Sequence, residues 1–192
     1  MSFNNSEHTM KHARLGAVMS IVAVVAMCAF IFFMSAEPAD QSDELSLGVV
    51  WRIVSFIVPG YGDLSPAEQL DWQKMLNHPV RKTAHFLEYA TLGALMFNML
   101  MQIARLKGIG FPAKAQGASG ERRVLSPRLL DASHKRSFAV LAWALTTLYA
   151  SSDEVHQMFV SGRAGMVTDV LLDSSGALVG VLLCWLVFFR AR

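Results

Sequence analysis

Charge is what this sequence has least of. Only 17% of its 192 residues are Asp, Glu, Lys or Arg, against about 25% in an average soluble domain, so a solvated globular surface is hard to assemble from it. Cysteine is nearly absent. Cys28 and Cys184 both sit inside apolar runs, which excludes a disulfide framework and leaves two small hydrophobes. The chain also lacks an internal repeat, a glycine-rich phosphate loop and the paired histidines of a zinc-protease helix. No nucleic acid is expected as a partner, because the basic residues are accounted for by membrane topology.

Long apolar runs are what it has in abundance. Hydrophobic residues make up 53% of the chain, and four stretches reach the roughly 17 to 25 residues that cross a bilayer: 15–34, 84–104, 137–157 and 167–189. The expected fold is all-α, a polytopic membrane protein with four transmembrane helices in one domain, 15–192, behind a tail at 1–14. The first run has a basic flank, Lys11, His12 and Arg14. Its apolar stretch exceeds the roughly 7 to 15 residues of a signal-peptide core, so it reads as an uncleaved first span.

Orientation follows from Lys and Arg. The loop 105–136 holds Arg105, Lys107, Lys114, Arg122, Arg123, Arg128, Lys135 and Arg136 against Glu121 and Asp131, which places it in the cytoplasm. Its Gly108, Gly110, Pro112, Gly117, Gly120 and Pro127 read as a flexible linker beside anionic lipid. Lys11 and Arg14 at one end and Arg190 and Arg192 at the other put both termini inside. The outer loop, 35–83, carries seven acids between Glu37 and Asp71. A multi-pass protein of the cytoplasmic membrane is therefore expected.

Within the outer loop Pro38 stops the first helix. Leu47 to Val58 is apolar but too short to span, and Trp51 beside Arg52 suits an interfacial or re-entrant segment, or one packed on the outer ends of the spans. Pro59-Gly60-Tyr61-Gly62 makes a turn, with Pro59-Gly60 a hinge that would let the outer segment close as a lid. Ser65-Pro66-Ala67-Glu68 has the form of a capping box. It opens a short outer helix to about Asn77, which Pro79 is expected to close.

Polar residues gather at the outer ends of three spans. Arg81, His85, Glu88 and Tyr89 recur at helical spacing on the second, with Lys82 one turn before His85. Tyr149, Ser152, Asp153, Glu154, His156 and Gln157 end the third. Asp169 and Asp173 start the fourth, and their stripe continues into Gly176 and Gly180, a small-xxx-small pattern that turns the aspartates toward another helix. An ionisable group costs roughly 2.5 to 3.5 kcal/mol at a bilayer centre. Three such stripes at one depth point to a shared outward-facing cavity.

The runs Arg81-Lys82-Thr83-Ala84-His85-Phe86-Leu87-Glu88-Tyr89-Ala90-Thr91-Leu92-Gly93 and Asp153-Glu154-Val155-His156-Gln157, followed by Arg163, Asp169, Gly176 and Gly180, resemble the VanZ-like family of membrane proteins. Ser35 to Ser42 is similar to the polar stretch after the first span there. The resemblance implies a multi-span helical fold in the cytoplasmic membrane and a role in the cell envelope. That family takes its name from a protein linked to low-level resistance to teicoplanin, a lipid-bearing glycopeptide antibiotic.

The constellation fits several chemistries. As a recognition pocket, Arg81, Lys82 and Arg163 would hold a phosphate or carboxylate, while Tyr89, Gln157, Asp169 and Asp173 hydrogen-bond a head group. The occupant would be a membrane lipid, a lipid-linked envelope precursor or a lipidated glycopeptide. As a hydrolase or transferase, His85, Glu88, Asp153, Glu154 and His156 would supply acid and base, or with the aspartates ligate a divalent metal. Asp153 or His156 would then be the base and Arg163 the anion clamp. A proton-coupled transporter would need polar groups along the cytoplasmic halves as well, and those read apolar. A purely structural role would pair the acids with Arg81, Lys82, Arg163 and the histidines, with Tyr89, Tyr149 and the tryptophans as an aromatic belt. The recognition pocket is the leading reading and the enzyme its alternative.

Overall fold

The computed structural model describes residues 2–107, 109 and 132–190, with the backbone alone for 2–9, 40–45, 132 and 188–190. The linker reading at 110–127 lies outside the described residues. Five helices run in order: α1 (Ser2–Ser35), α2 (Ala39–Ile57), α3 (Pro66–Lys107), α4 (Ala132–Gln157) and α5 (Val167–Arg190), with a single 3-10 turn at Tyr61–Asp63. No strand occurs among the described residues.

Among the described residues three helices are long and apolar enough to cross a membrane: Met10–Ser35, Pro66–Lys107 and Val167–Val187. The expected third span, 137–157, falls short of that standard for a physical reason. Its last turns carry Ser151, Ser152, Asp153, Glu154, His156 and Gln157, and this polar end dilutes its hydropathy. Lipid-facing character is plain elsewhere. Val18, Val22, Val25 and Phe33 on α1 and Leu182, Leu183 and Val187 on α5 are all exposed, as expected of helices whose outer faces meet acyl chains.

The helices depart from expectation in three places. Residues 2–10, read as a tail, continue α1 as helix. The apolar segment expected from Leu47 lies in a longer helix that begins at Ala39, directly after Pro38. Most consequentially, Pro79 does not end a helix: α3 runs unbroken from Pro66 to Lys107, 42 residues. Proline removes one amide and crowds the carbonyl four residues earlier, but here Met75 and Pro79 share an exposed face. Leu76 and Val80, on either side of the proline, pack into one small core with Val50, Val54, Tyr61 and Trp72. With that packing on α2, the helix continues through the proline.

The same core makes α2 and the outer part of α3 a helical hairpin. Gly60 turns the chain with a left-handed φ of 74°, a conformation that favours glycine. The capping box forms as read: the Ser65 amide donates to Glu68 Oε2 at 2.9 Å and the Glu68 amide to Ser65 Oγ at 3.4 Å. Gln73 Nε2 donates to the Tyr61 hydroxyl at 3.0 Å, which in turn donates to the Gln69 carbonyl.

The main core lies between α1, α3, α4 and α5, around Ile31, Tyr89, Leu92, Phe97, Met101, Ala142 and Val181. The α3–α5 contact is the tightest. A β-carbon on Gly176 would overlap the Phe86 carbonyl, one on Gly180 the Ala90 carbonyl, and one on Gly93 the Ala177 backbone. Backbone meets backbone there, as small-residue stripes allow. The glycine stripe and the Asp169/Asp173 stripe therefore face α3 together.

Candidate functional site

The crossing of α3 and α5 sets the level at which the polar residues meet, and the structure sorts them into three groups. The first binds helix ends together. Lys82 Nζ pairs with Asp169 across α3 and α5. Glu154 Oε2 accepts the Met166 amide at 2.9 Å, an acid placed where the start of α5 exposes its donors. His156 stacks on Phe32 with ring centroids 4.5 Å apart, and its buried Nδ1 has no hydrogen-bond partner among the described residues.

Arg163 belongs partly to this group. Its Nε donates to the Glu37 carbonyl at 2.9 Å and its Nη2 to the Met34 carbonyl at 3.2 Å, satisfying acceptors left open where α1 ends. Beside it the Ala39 amide donates to the Ser161 carbonyl at 3.2 Å, and Gly162 turns with φ 73°. The α4–α5 loop is thereby fastened to the α1–α2 turn. Burial, first, and then neighbouring Arg81 push the Arg163 pKa down, while Asp153, Glu37 and Glu154 oppose the shift. A guanidinium keeps its charge through such a change.

The second group is a buried polar layer. Asp153, 4% exposed, accepts on Oδ2 from Ser35 Oγ at 2.8 Å and from Gln157 Nε2 at 3.1 Å. Tyr89 and Asp173 are sealed in beside it. The Tyr89 hydroxyl and both Asp173 oxygens have no partner of hydrogen-bond geometry among the described residues, although Tyr89 lies close enough to Asp153 for their electrostatics to couple. Tyr149, its ring 6.4 Å from that of Tyr89, donates instead to the Cys28 carbonyl at 2.6 Å.

The third group opens into a cavity of about 200 Å³ between the end of α1, α2, α3 and the α4–α5 loop. Met34, Val49, Val80 and Ala84 form its apolar wall, and Arg81, His85, Glu88 and Arg163, with Ser46 at the rim, its polar one. Ser46 Oγ donates to Asn77 Oδ1 at 2.5 Å, tying α2 to α3 above the opening. Arg81, His85 and Glu88 share this wall because steps of four and three residues keep one face of a helix. Among the described residues neither His85 nor Glu88 makes a side-chain hydrogen bond, and Arg163 Nη1 has none either.

The candidates thus meet at one depth but in different environments. Arg81, His85, Glu88 and Arg163 line the cavity. Tyr89, Asp153, Gln157 and Asp173 lie behind it, with Asp153 in electrostatic reach of both Glu88 and Asp173. Lys82, Glu154, His156 and Asp169 engage neighbouring helices. Among the described residues no three His, Cys, Asp or Glu side chains come together as metal ligands. The contribution of α2, Ser46 and Val49, went unread because it depends on α2 folding back over α3. Ser35 lay within the polar stretch noted after the first span, and its pairing 118 residues away with Asp153 left no local trace.

Among families of known proteins, a model described as VanZ/LLP1 matches residues 20–189 of the chain. No curated protein and no solved structure matches it.

Proposed function

The chain belongs to the VanZ/LLP1 family, and from that membership and the cavity we propose a multi-pass protein of the cytoplasmic membrane that recognises the head group of a lipid-linked envelope precursor. One observation carries this reading. An apolar wall of Met34, Val49, Val80 and Ala84 faces His85, Glu88 and Arg163 Nη1, so a single opening offers both hydrocarbon and uncommitted polar contacts. Met34 and Val49 are exposed on its outer side, a lateral route for a lipid tail.

Size selects among ligands. At about 200 Å³ the cavity is smaller than the roughly 300–1,000 Å³ of sites for drug-sized molecules. It suits the phosphate-proximal part of a lipid better than a bulky lipidated glycopeptide. In this reading α4 is the fourth span: its 26 residues rise about 39 Å, and its polar end is buried against α1, α3 and α5. Four spans leave both basic termini in the cytoplasm and the cavity facing outward.

A membrane-embedded hydrolase or transferase is the second reading, favoured by His85 and Glu88 standing one turn apart without internal partners, as an acid–base pair requires. Native mass spectrometry of the full chain with a polyprenyl phosphate tests recognition. Binding that is lost in Ala84→Phe, which fills the cavity, supports it; binding unchanged by that substitution rejects it. Release of inorganic phosphate from the same lipid, abolished in His85→Gln, would move the assignment to the enzyme.

A further inference from the structure

Charges of both signs line the cavity, and its acid, Glu88, forms no ion pair with Arg163. Glu88 has no ion-pair or hydrogen-bond partner among the described residues, although Arg81, His85 and Arg163 stand around the same opening. Lys82, the next cation along α3, is engaged with Asp169, and Arg163 is held back by its two bonds to the Met34 and Glu37 carbonyls. A half-buried carboxylate with no direct hydrogen-bond or ion-pair partner among the described residues is a poor arrangement for an anion alone. A phosphate drawn in by Arg163 would meet Glu88 as a like charge, whereas a cationic group on the same ligand would relieve the uncompensated acid.

We infer that the cavity takes an amine-bearing phosphate head group, with the phosphate at Arg163 Nη1 and His85 and a primary ammonium at Glu88. This deepens the recognition reading and rests on it. The spacing is appropriate: His85 and Glu88 are three residues apart on α3, about 4.5 Å along the helix axis, so one short zwitterion can address both. Ethanolamine phosphate on a diacyl lipid is the simplest such group.

The test compares dioleoylphosphatidylethanolamine, the same lipid N-acetylated to remove its ammonium, and dioleoylphosphatidic acid, each titrated against the full chain and read by native mass spectrometry. The wild-type protein is expected to prefer the free amine over its N-acetyl form by at least about tenfold. In Glu88→Gln that preference disappears, while phosphatidic acid binds as well as before or better. Equal wild-type binding of the free and acetylated amines overturns the inference without needing any variant to fold. If phosphatidic acid is then still displaced by Ala84→Phe, the cavity remains a phosphate-lipid site and only the ammonium assignment fails. If Ala84→Phe leaves all three lipids bound, the recognition reading falls with it.

Discussion

Gly180 of α5 lies so close to Ala90 of α3 that a β-carbon on the glycine would overlap the alanine carbonyl oxygen. With Gly176 against Phe86 and Gly93 against Ala177, this contact fixes the height of α5 on α3. It thereby decides that Asp169 meets Lys82 and that Asp173 lies beside Tyr89.

Gly180→Ala should therefore destabilise the protein, since the obstruction is backbone and cannot rotate away. Overpacking of this kind costs about 1–3 kcal/mol. Gly16→Ala, where nothing lies within 4 Å, is the control. Thermal unfolding in detergent should show a lower midpoint for the first and no loss for the second; equal midpoints would mean the helices are not in contact.

Arg163→Lys should loosen the joint between the α4–α5 loop and the end of α1. Lysine keeps the charge but cannot reach two carbonyls with a planar fork. Hydrogen exchange at the Ala39 amide, which donates to Ser161 in the same joint, should quicken. Unchanged protection there would make the guanidinium contacts incidental.

Ser35 and Asp153 should prove coupled. Asp153→Ala leaves buried Ser35 without its acceptor, at about 1–3 kcal/mol, and Ser35→Ala leaves Asp153 with Gln157 alone, whereas the double substitution removes the pair together. The double-mutant cycle is expected to be non-additive by about 1 kcal/mol. Additive losses in chemical denaturation would show that the 2.8 Å hydrogen bond contributes nothing net.

Ser65→Ala should weaken the outer hairpin alone. Loss of an N-cap costs about 0.5–2 kcal/mol, and exchange should accelerate at the first turn of α3 while amides around Leu92 and Phe97 stay protected. Acceleration at both places would tie the hairpin to the main core more closely than its separate small core suggests.

Much of this was legible from residue spacing. Helical periods placed Arg81, His85 and Glu88 on one face, and the phase of Gly176 and Gly180 with the aspartates foretold a close helix contact on that face of α5, whose partner proved to be α3. Ser65 and Glu68 announced their cap because it is local. What stayed hidden is tertiary. Pro79 reads as a terminator by local rules, and only Leu76 and Val80 packed on α2 override it. Glu154, His156 and Asp169 read as chemistry because their type and depth are right, while their partners Met166, Phe32 and Lys82 are set by packing. The polar end of α4 explains why that helix is weak by hydropathy: its acids Asp153 and Glu154 are buried.

An uninterrupted α3 changes how the outside of the protein communicates with its interior. At 42 residues its contour is about 63 Å, roughly twice the ~30 Å of bilayer hydrocarbon, so about half of the helix is more than a span requires. Trp72, His85 and Glu88 belong to this one continuous helix, with Pro79 between the first and the other two. The wall of Arg81, His85 and Glu88 is thus carried by the same helix whose first turns pack on α2.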